Sequence, residues 1–191
     1  MTRVPPAAGL VDAFVADRIR RPPMNEAAFL DFYARTAGPL VGYLRKLTGD
    51  ASTADDLLQE AYLRFLGVVR IPSDHDHRRN YLFRIATNLA RDHFRYEKRY
   101  QPLDDERLPD RASAPAAEPS DVWTVLDRVT PRDRELLLLA YVEGLTHKEI
   151  SQVTGLMRAS IKPLLFRARK RFAGAMRAAG LVADTVSGGS A

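Results

Sequence analysis

The chain contains no cysteine and a single tryptophan among its 191 residues. Without cysteine there is no disulfide framework and no thiolate metal site, which suits a reducing compartment. No apolar run reaches the ~18 residues that a membrane-spanning helix needs, so no membrane span is expected. The first 23 residues combine prolines with scattered arginines and lack the continuous apolar core of a signal peptide. We therefore expect a cytoplasmic protein.

Acidic residues are missing from the stretch 150–183, which carries arginine and lysine repeatedly. A cationic helix without internal acids is poorly matched to a salt-bridged protein surface and well matched to phosphate. The net charge of the whole chain is only +5, so positive charge is concentrated in this region. The distribution predicts that the last third of the chain binds nucleic acid.

The same region has the pattern of short helices joined by a tight turn. Thr130-Pro131 is a helix-start signal, with a hydroxyl cap followed by proline at the first helical position. Gly144 ends this helix, and Thr146–Glu149 is a capping box that begins another. Gly155 marks a turn before a basic helix expected over about 160–177. Helix, glycine turn and basic helix together predict a helix-turn-helix motif.

Proline and acidic residues cluster between these elements and the first half of the chain. The segment between residues 101 and 120 is too polar and too rich in proline and alanine to form a core, so it is expected to be a flexible acidic linker. No alternating strand pattern of useful length occurs, so the fold is expected to be all-α, with two small helical domains. The expected divisions are a tail at 1–23, an N-terminal domain at 24–100, the linker at 101–120, a helix-turn-helix domain at 121–178 and a second tail at 179–191.

Four helical segments are expected in the N-terminal domain. Asn25 should cap the first, and the apolar pattern continues past Pro39 into a second segment. Ser52 or Thr53 should cap the next helix. After a polar loop, the last helix is expected from about Asn80 to Arg99, with an apolar stripe on one side.

Two of these helices carry candidate interaction residues, each with a plain structural alternative. The segment 55–66 has an acidic edge, which is also typical of acids near a helix start on an ordinary surface. The segment 80–99 combines aromatic rings with arginine and asparagine, a combination suited to single-stranded nucleic acid, although the rings could equally be core. His75 and His77 suggest a metal site, but without a matching ligand cluster elsewhere they are expected to belong to a solvated loop.

Taken together, the motifs resemble a known family. Asp-Leu-Leu-Gln-Glu-Ala at 56–61 and Tyr-Leu-Phe-Arg-Ile-Ala-Thr-Asn-Leu-Ala-Arg-Asp at 81–92 look like the first conserved domain of bacterial RNA polymerase sigma factors. The segment 126–168 resembles their promoter-reading C-terminal domain. Two domains and a short linker are typical of the small extracytoplasmic-function (ECF) type. The resemblance covers roughly 26–100 and 122–172.

The resemblance implies roles for residues of the N-terminal domain. One helix face should dock on the clamp coiled coil of the polymerase β′ subunit, through Asp55, Asp56, Gln59 and Glu60. The loop 70–79 and the start of the following helix should capture unstacked bases of the −10 promoter element. Tyr81 stands where many relatives have tryptophan, so it is the candidate wedge for strand separation. The −10 DNA-binding residues implied are Tyr81, Arg84, Asn88, Arg91, Arg95, Lys98 and Arg99.

The C-terminal domain should sit on the polymerase β flap and contact the −35 promoter element. Its implied DNA-binding residues are Ser160, Lys162, Phe166, Arg167, Arg169 and Lys170. Pro163 and Leu164 depart from the family pattern, in which a small polar residue and an arginine are common after the position of Lys162. Leucine cannot make the bidentate contact that arginine makes with guanine. We expect Ser160 to cap this helix, with Pro163 in its first turn, and weak base discrimination at −35.

The function that the sequence favours is a dissociable initiation subunit that directs core RNA polymerase to promoters and helps to open the DNA. Its expected partners are core polymerase, promoter DNA and an anti-sigma factor. No catalytic residue, cofactor or metal site is expected, and the protein is expected not to be an enzyme. Two alternatives stay open. A stand-alone helix-turn-helix regulator would leave the N-terminal helices unexplained, and a sigma mimic that titrates an anti-sigma factor would account for Pro163 and Leu164.

Overall fold

The computed structural model describes residues 24–68, 74–100 and 121–182. These residues form helices and no strands, which confirms the all-α expectation. The first predicted tail, the linker, residues 183–191 of the second tail and residues 70–73 of the predicted base-capturing loop lie outside the described residues. The helices are α1 (Glu26–Thr48), α2 (Ala51–Leu66), α3 (His75–Tyr100), α4 (Asp121–Leu126), α5 (Pro131–Leu137), a π-helical segment (Leu138–Val142), α6 (His147–Thr154) and α7 (Arg158–Ala178).

Helix α1 is one continuous element where the sequence suggested two. Asn25 caps it as predicted, because its side-chain oxygen accepts a hydrogen bond from the Ala28 N–H at 2.8 Å. Gly49 ends it in the left-handed conformation with a φ of 76°. Pro39 lies inside the helix on its exposed side. The N-terminal domain therefore has three helices, because the buried residues on both sides of Pro39 pack as a single stripe.

Helix α2 begins earlier than predicted, so the expected cap at Ser52 or Thr53 is wrong. Asp50 is the cap: its backbone is extended, and its carboxylate accepts the Thr53 N–H at 2.6 Å. Ser52 and Thr53 therefore lie within the first turn of α2. The upstream Asp50 takes the capping role, because its carboxylate pairs one of the N–H groups that a helix start leaves without an intrahelical partner.

Helix α3 also starts before the predicted position at Asn80. Its first residue is His75, so residues 75–79 of the predicted polar loop are helical. Asp74 explains the earlier start, because its carboxylate accepts the His77 N–H at 3.1 Å. This side chain satisfies a donor that a helix start would otherwise leave unpaired.

The core of the N-terminal domain is formed by facing aromatic and aliphatic side chains of α1, α2 and α3. Phe32 and Phe65 stack with their ring centroids 5.1 Å apart. The buried hydroxyls pair across helices: Thr36 with Tyr62 at 2.7 Å, and Tyr43 with Thr87 at 3.0 Å. Burial raises the pKa of Tyr62 to about 12, so this phenol stays neutral.

The C-terminal domain contains the predicted helix-turn-helix. Thr130 caps α5, the capping box at Thr146 and Glu149 begins α6, and Gly155 makes the turn with a φ of 72°. The leucine run after α5 continues as a π-helical segment, in which the Glu143 N–H donates to the Leu138 carbonyl at 3.0 Å. A π turn contains an additional residue, so residues that follow it face a direction that an unbroken α-helix would not give them.

Helix α7 starts at Arg158, with Met157 as its cap residue, so the predicted cap at Ser160 is wrong. The Ser160 N–H already donates to the Met157 carbonyl at 2.8 Å. Pro163 consequently lies in the second turn, inside the helix and exposed to solvent. The hydrogen bond from residue 163 to the carbonyl four residues earlier is therefore missing.

The two domains pack against each other through α3 on α6 and through α1 on α5 and the π segment. Buried residues of both domains belong to one contiguous apolar cluster. Arg134 joins them, because its buried guanidinium donates to the carbonyl of Leu47 in α1 at 3.2 Å and to that of Leu126 in α4 at 3.2 Å. The Lys46 ammonium lies 4.4 Å from the centroid of the Trp123 ring, across the same boundary. The sequence did not predict this packing.

Within the part of the chain that is described, no helix is both long enough and apolar enough to cross a bilayer.

Candidate polymerase and nucleic-acid interfaces

The predicted polymerase-binding residues lie on α2, and two of the four form ion pairs with arginines. They are Asp55, Asp56, Gln59 and Glu60. Asp55 pairs with Arg45 of α1 at 3.1 Å, and Glu60 pairs with Arg64 at 2.7 Å. All four side chains of these two pairs are about half exposed, so the pairs are weak and can be exchanged for a partner's charges.

Leu63 is a residue of this surface that the sequence reasoning missed. Its side chain is 66% exposed, among the most exposed of the large apolar residues. Asp56, Gln59, Glu60 and Leu63 follow the i, i+3, i+4, i+7 spacing of one helix face. Leu63 thus extends the polar face of Asp56 and Gln59 with an exposed apolar side chain. The helical spacing alone places Leu63 on this face, because it lies seven residues after Asp56.

The predicted −10 residues lie on α3, in differing environments. Tyr81 is half-buried, with its ring 6.4 Å from that of Phe65. Arg84, Asn88 and Arg99 are exposed. Arg95 is exposed and paired with Asp92 at 3.1 Å. Lys98 belongs to α3, but its side chain lies outside the described residues.

Arg91 faces the C-terminal domain. Its Nε donates to Glu135 Oε2 at 2.9 Å and its Nη2 to Glu135 Oε1 at 2.6 Å, a bidentate pair. Its Nη1 donates to the Thr154 carbonyl at 3.0 Å. The Glu135 side chain is only 5% exposed. Burial raises the pKa of the Glu135 carboxyl, and the Arg91 guanidinium opposes that rise.

Three further side-chain contacts join α3 to Glu143, which follows the π segment, and to α6. Arg79 Nη2 donates to Glu143 Oε2 at 2.9 Å, and that carboxylate is also 5% exposed. Burial raises the pKa of Glu143 as well. Asn80 Nδ2 donates to Glu149 at 3.3 Å and to Gln152 at 3.4 Å. We call this set the interdomain polar cluster: Arg79, Asn80 and Arg91 of α3 with Glu135, Glu143, Glu149 and Gln152.

Two clefts flank the interdomain polar cluster. The smaller, of about 150 Å³, lies beside Tyr81 and Arg84 and reaches Gln152 of α6. The larger, of about 440 Å³, lies between Arg91 and Arg95 on one side and Arg132 and Glu135 on the other. The side of α3 that carries Tyr81, Arg84, Arg91 and Arg95 therefore lines clefts whose opposite walls are formed by the C-terminal domain.

The predicted −35 residues lie on α7, and most are open to solvent. Ser160 is half-buried, and the exposed members are Lys162, Phe166, Arg167, Arg169 and Lys170. Phe166 is 60% exposed. Arg169 Nη1 donates to the Tyr141 hydroxyl at 3.1 Å, which fixes its direction. The C-terminal domain does not cover this side of its own helix.

An apolar groove of about 310 Å³ lies on the C-terminal domain, between α4, the π segment and α7. Its rim includes Trp123, Tyr141 and Val142, which are 37%, 59% and 42% exposed. Phe172 of α7 lies in its lining. An exposed apolar groove of this kind is typical of a protein-binding surface.

His75 and His77 lie in the first turn of α3 and not in a loop. Their imidazoles pair with neighbouring acids, His77 with Asp74 at 3.0 Å and His75 with Asp76 at 3.6 Å. No group of three or more potential metal-ligating side chains occurs among the residues described here.

Comparison with known families matches both domains of this chain. The Sigma-70 region 2 family matches residues 32–100, and the Sigma-70 region 4 family matches residues 120–172. The chain is 30% identical over 149 residues to the ECF RNA polymerase sigma factor SigM of Bacillus subtilis, covering 74% of this chain and 90% of that protein. It is 30% identical over 138 residues to the RNA polymerase sigma factor CarQ of Myxococcus xanthus, covering 68% and 78%. The chain belongs to the ECF family of RNA polymerase sigma factors.

Solved structures have the same fold. The sigma factor RpoE of Bartonella quintana, in complex with the anti-sigma factor NepR, matches with a TM-score of 0.65 at 20% identity, over 78% of this chain and 96% of that one. CnrH, in complex with the cytosolic domain of CnrY, matches with a TM-score of 0.61 at 23% identity, over 81% and 90%. Sequence, fold and family thus agree on a sigma factor that directs RNA polymerase to promoters.

Proposed function

We propose that the protein binds core RNA polymerase through the outer face of α2 and opens promoter DNA through α3. Family membership carries this proposal, because both sigma domains occur in the expected order. The α2 face supports it with exposed Asp56, Gln59 and Leu63. Its predicted target is the clamp coiled coil of β′.

In promoter opening, the free energy lost when bases unstack is offset by the free energy gained when the protein binds the released bases. Unstacking a base costs a few kcal/mol, and stacking a released base on an aromatic side chain returns about 1–3 kcal/mol. We infer that Tyr81 is the wedge and that Arg84, Asn88 and Arg91 contact the released strand. No nucleotide hydrolysis is needed for this exchange, so we propose a non-enzymatic initiation factor.

The C-terminal domain is proposed to hold the −35 element by α7. Its exposed cations, Lys162, Arg167 and Lys170, suit phosphate contacts more than base readout, since Pro163 and Leu164 offer no polar group to a base edge. We infer that the apolar groove at Trp123, Tyr141 and Val142 takes the β flap, because that groove remains open beside the DNA-binding helix.

We also propose cytoplasmic location and control by an anti-sigma factor. The support is family membership together with the structure of RpoE, a similar sigma factor that was solved in complex with the anti-sigma factor NepR.

The decisive experiment is run-off transcription from fragments of the source genome with purified bacterial core polymerase. We expect discrete transcripts that require this protein. A stand-alone helix-turn-helix regulator would bind duplex DNA without polymerase and give none. A sigma mimic would give none either, and it would relieve inhibition of another sigma factor by an added anti-sigma factor.

A further inference from the structure

Helix α1 carries two apolar stripes, and the core of the N-terminal domain covers only one of them. The covered stripe includes Phe32, Leu40 and Tyr43. The second apolar stripe has the i, i+3, i+4, i+7, i+11 spacing of one helix face and consists of Leu30, Tyr33, Ala34, Ala37 and Val41. Apolar residues on more than one side are typical of a helix that is packed on more than one side.

The described residues leave much of the second apolar stripe open. Leu30 is 58% exposed, Tyr33 is 42% exposed, and Ala34 is also exposed. One edge of the stripe meets α2, where the ring centroids of Tyr33 and Tyr62 lie 4.9 Å apart. Beside the stripe, a Cβ added at Gly38 would meet no atom of the described residues within 4 Å, its own helix backbone aside. This side of α1 therefore has room for a further helix.

Residues 1–23 precede α1 directly, and part of their sequence matches the second apolar stripe. Within the segment 10–19, apolar residues recur at the i, i+1, i+4, i+5 spacing of one helix face: Leu10, Val11, Phe14 and Val15. The two aspartates of this segment fall outside that face. Pro5-Pro6 and Pro22-Pro23 flank the segment, and prolines are typical of positions just outside a helix. The pattern therefore predicts a short amphipathic helix.

The connection between this segment and α1 has the length of a helical hairpin. Six residues, 20–25, separate the segment 10–19 from Glu26, the first residue of α1. Connections of about 2–8 residues are usual between neighbouring helices of a bundle, and short ones make those neighbours antiparallel. An antiparallel return brings the arginines of the connection near the acidic first turn of α1, and it brings Asp12 toward Arg35. Charge complementarity thus agrees with the match of apolar faces.

We propose that residues 10–19 form a helix that folds back antiparallel to α1 and covers the second apolar stripe, as a fourth helix of the N-terminal domain. The inference goes beyond promoter recognition, because it assigns a binding surface on α1 and an occupant from the same chain. The free energy that supports docking is the burial of Leu30 and Tyr33 against the apolar face of the segment.

The first test is chemical cross-linking in the full-length protein. The chain has no cysteine, so two introduced cysteines are its only thiols. Val11→Cys is combined with Ala34→Cys, because the antiparallel return places these two positions opposite each other. A short bismaleimide should link them within one molecule, as identified by mass spectrometry. Val11→Cys with Ala159→Cys is the matched control, since Ala159 is an exposed helical alanine of α7, and this pair should link far less.

The second test is hydrogen exchange of the full-length, cysteine-free chain, read by mass spectrometry. If the segment is docked about nine-tenths of the time, amides within 10–19 should exchange about tenfold more slowly than in the isolated peptide. Phe14→Asp should abolish this protection, because docking would bury an unpaired carboxylate against α1. Ala13→Asp is the matched control, because it adds the same charge outside the apolar face, and it should keep the protection. Circular dichroism checks that every variant is folded.

A link within one molecule, together with protection that Phe14→Asp abolishes and Ala13→Asp keeps, supports the proposal. A link between two molecules would assign the second apolar stripe to another copy of the chain and overturns it. Linking no greater than in the Ala159 control overturns it as well, and so does unprotected exchange of residues 10–19 in the wild type. Equal loss of protection in both aspartate variants contradicts docking through the apolar face.

Discussion

At the scale of single residues, side chains that belong to the same motif differ in exposure and in ion pairing. Asp56 and Gln59 are exposed on α2, whereas Glu60 is engaged with Arg64. Arg84 and Arg91 lie two helical turns apart on α3, yet only Arg91 reaches a carboxylate of the other domain. A motif fixes which residue types are present, and neighbours from distant parts of the chain decide what each side chain can still bind.

We predict that Gln59→Ala combined with Glu60→Lys leaves the fold intact and strips affinity for core polymerase. Reversing a charge at an interface can cost several kcal/mol, while loss of an exposed i, i+4 pair costs little in the free protein. Asp31→Lys is the matched control, because Asp31 forms an exposed i, i+4 pair with Arg35 on α1. Co-elution with core polymerase on size exclusion measures the effect, and undiminished co-elution of the double variant would contradict the α2 assignment.

We predict that Lys162→Ala and Arg167→Ala weaken binding of a −35 duplex with little change in its sequence preference. Each lost phosphate contact should lower the slope of log affinity against log salt by about 1. Single base-pair changes at −35 should cost less than the roughly 1–3 kcal/mol of a bidentate contact. Arg35→Ala on α1 controls for net charge. Larger penalties for individual base changes, measured by anisotropy titration, would mean that α7 reads bases directly.

We predict that Pro163→Ala raises the free energy of unfolding, by up to ~3 kcal/mol, because proline inside a helix removes a hydrogen bond and crowds the preceding turn. Pro163 is exposed, so its ring contributes little packing that alanine would lose. Urea titration measures the effect, with Pro39→Ala in α1 as the parallel case. A lower stability would show that the proline shapes a bend on which the packing of α7 depends.

At the scale of elements, side chains next to each helix set where it starts and ends. The hydroxyl and N–H of Thr146 both donate to Glu149 Oε2, at 2.7 and 2.8 Å. Burial alone would raise the pKa of Glu149, but hydrogen bonds donated by Thr146 and Asn80 outweigh it and lower that pKa. The first helix of the helix-turn-helix therefore depends on a charged carboxylate as well as on its apolar residues.

We predict that Thr146→Ala lowers the free energy of unfolding by about 1 kcal/mol at neutral pH. Because the folded pKa of Glu149 is depressed, its contribution is present above the ordinary value of 4.5 and is lost as pH falls through the folded pKa. The difference between variant and wild type should therefore shrink in acid. Denaturant titrations at neutral and acidic pH measure it, with exposed His147→Ala as control. A difference that grows in acid would contradict this account.

At the scale of the whole molecule, the two sigma domains share one buried apolar cluster. Arg134 adds hydrogen bonds across the boundary, to the Leu47 carbonyl in particular. Folding of one domain then supports folding of the other, because each covers apolar surface that its partner would leave in water.

We predict that free wild-type protein unfolds in urea as one transition, with helix content and Trp123 fluorescence changing together. In the double variant Glu135→Gln/Glu143→Gln, the Trp123 fluorescence should change at a lower urea concentration than the helix content. The fluorescence reports the domain boundary, whereas circular dichroism reports all helices. Two well-separated transitions in the wild type would show that the domains are independent in solution.

The sequence by itself determined the helical class, the helix-turn-helix and several helix ends, among them both ends of α1 and of α6. These features depend on local chemistry: Asn25, Thr130 and Gly49 act within one turn of the chain, so spacing reveals them. The locations of the proposed contact residues on α2, α3 and α7 were also available from motifs. One error arose where two local signals competed, since Asp50 caps α2 ahead of Ser52 and Thr53. Another arose at Met157, whose side chain makes no capping hydrogen bond, so that no local signal marked the start of α7.

Only the tertiary structure decided which predicted interface remains open. The pairing of Arg91 with Glu135 joins residues 44 positions apart, and that of Arg79 with Glu143 joins residues 64 apart. No periodicity in either segment encodes such a pair, because each arginine would be equally consistent with solvent or with DNA phosphate. The choice depends on how α3 packs on α6, and that depends on apolar surfaces contributed by the whole chain.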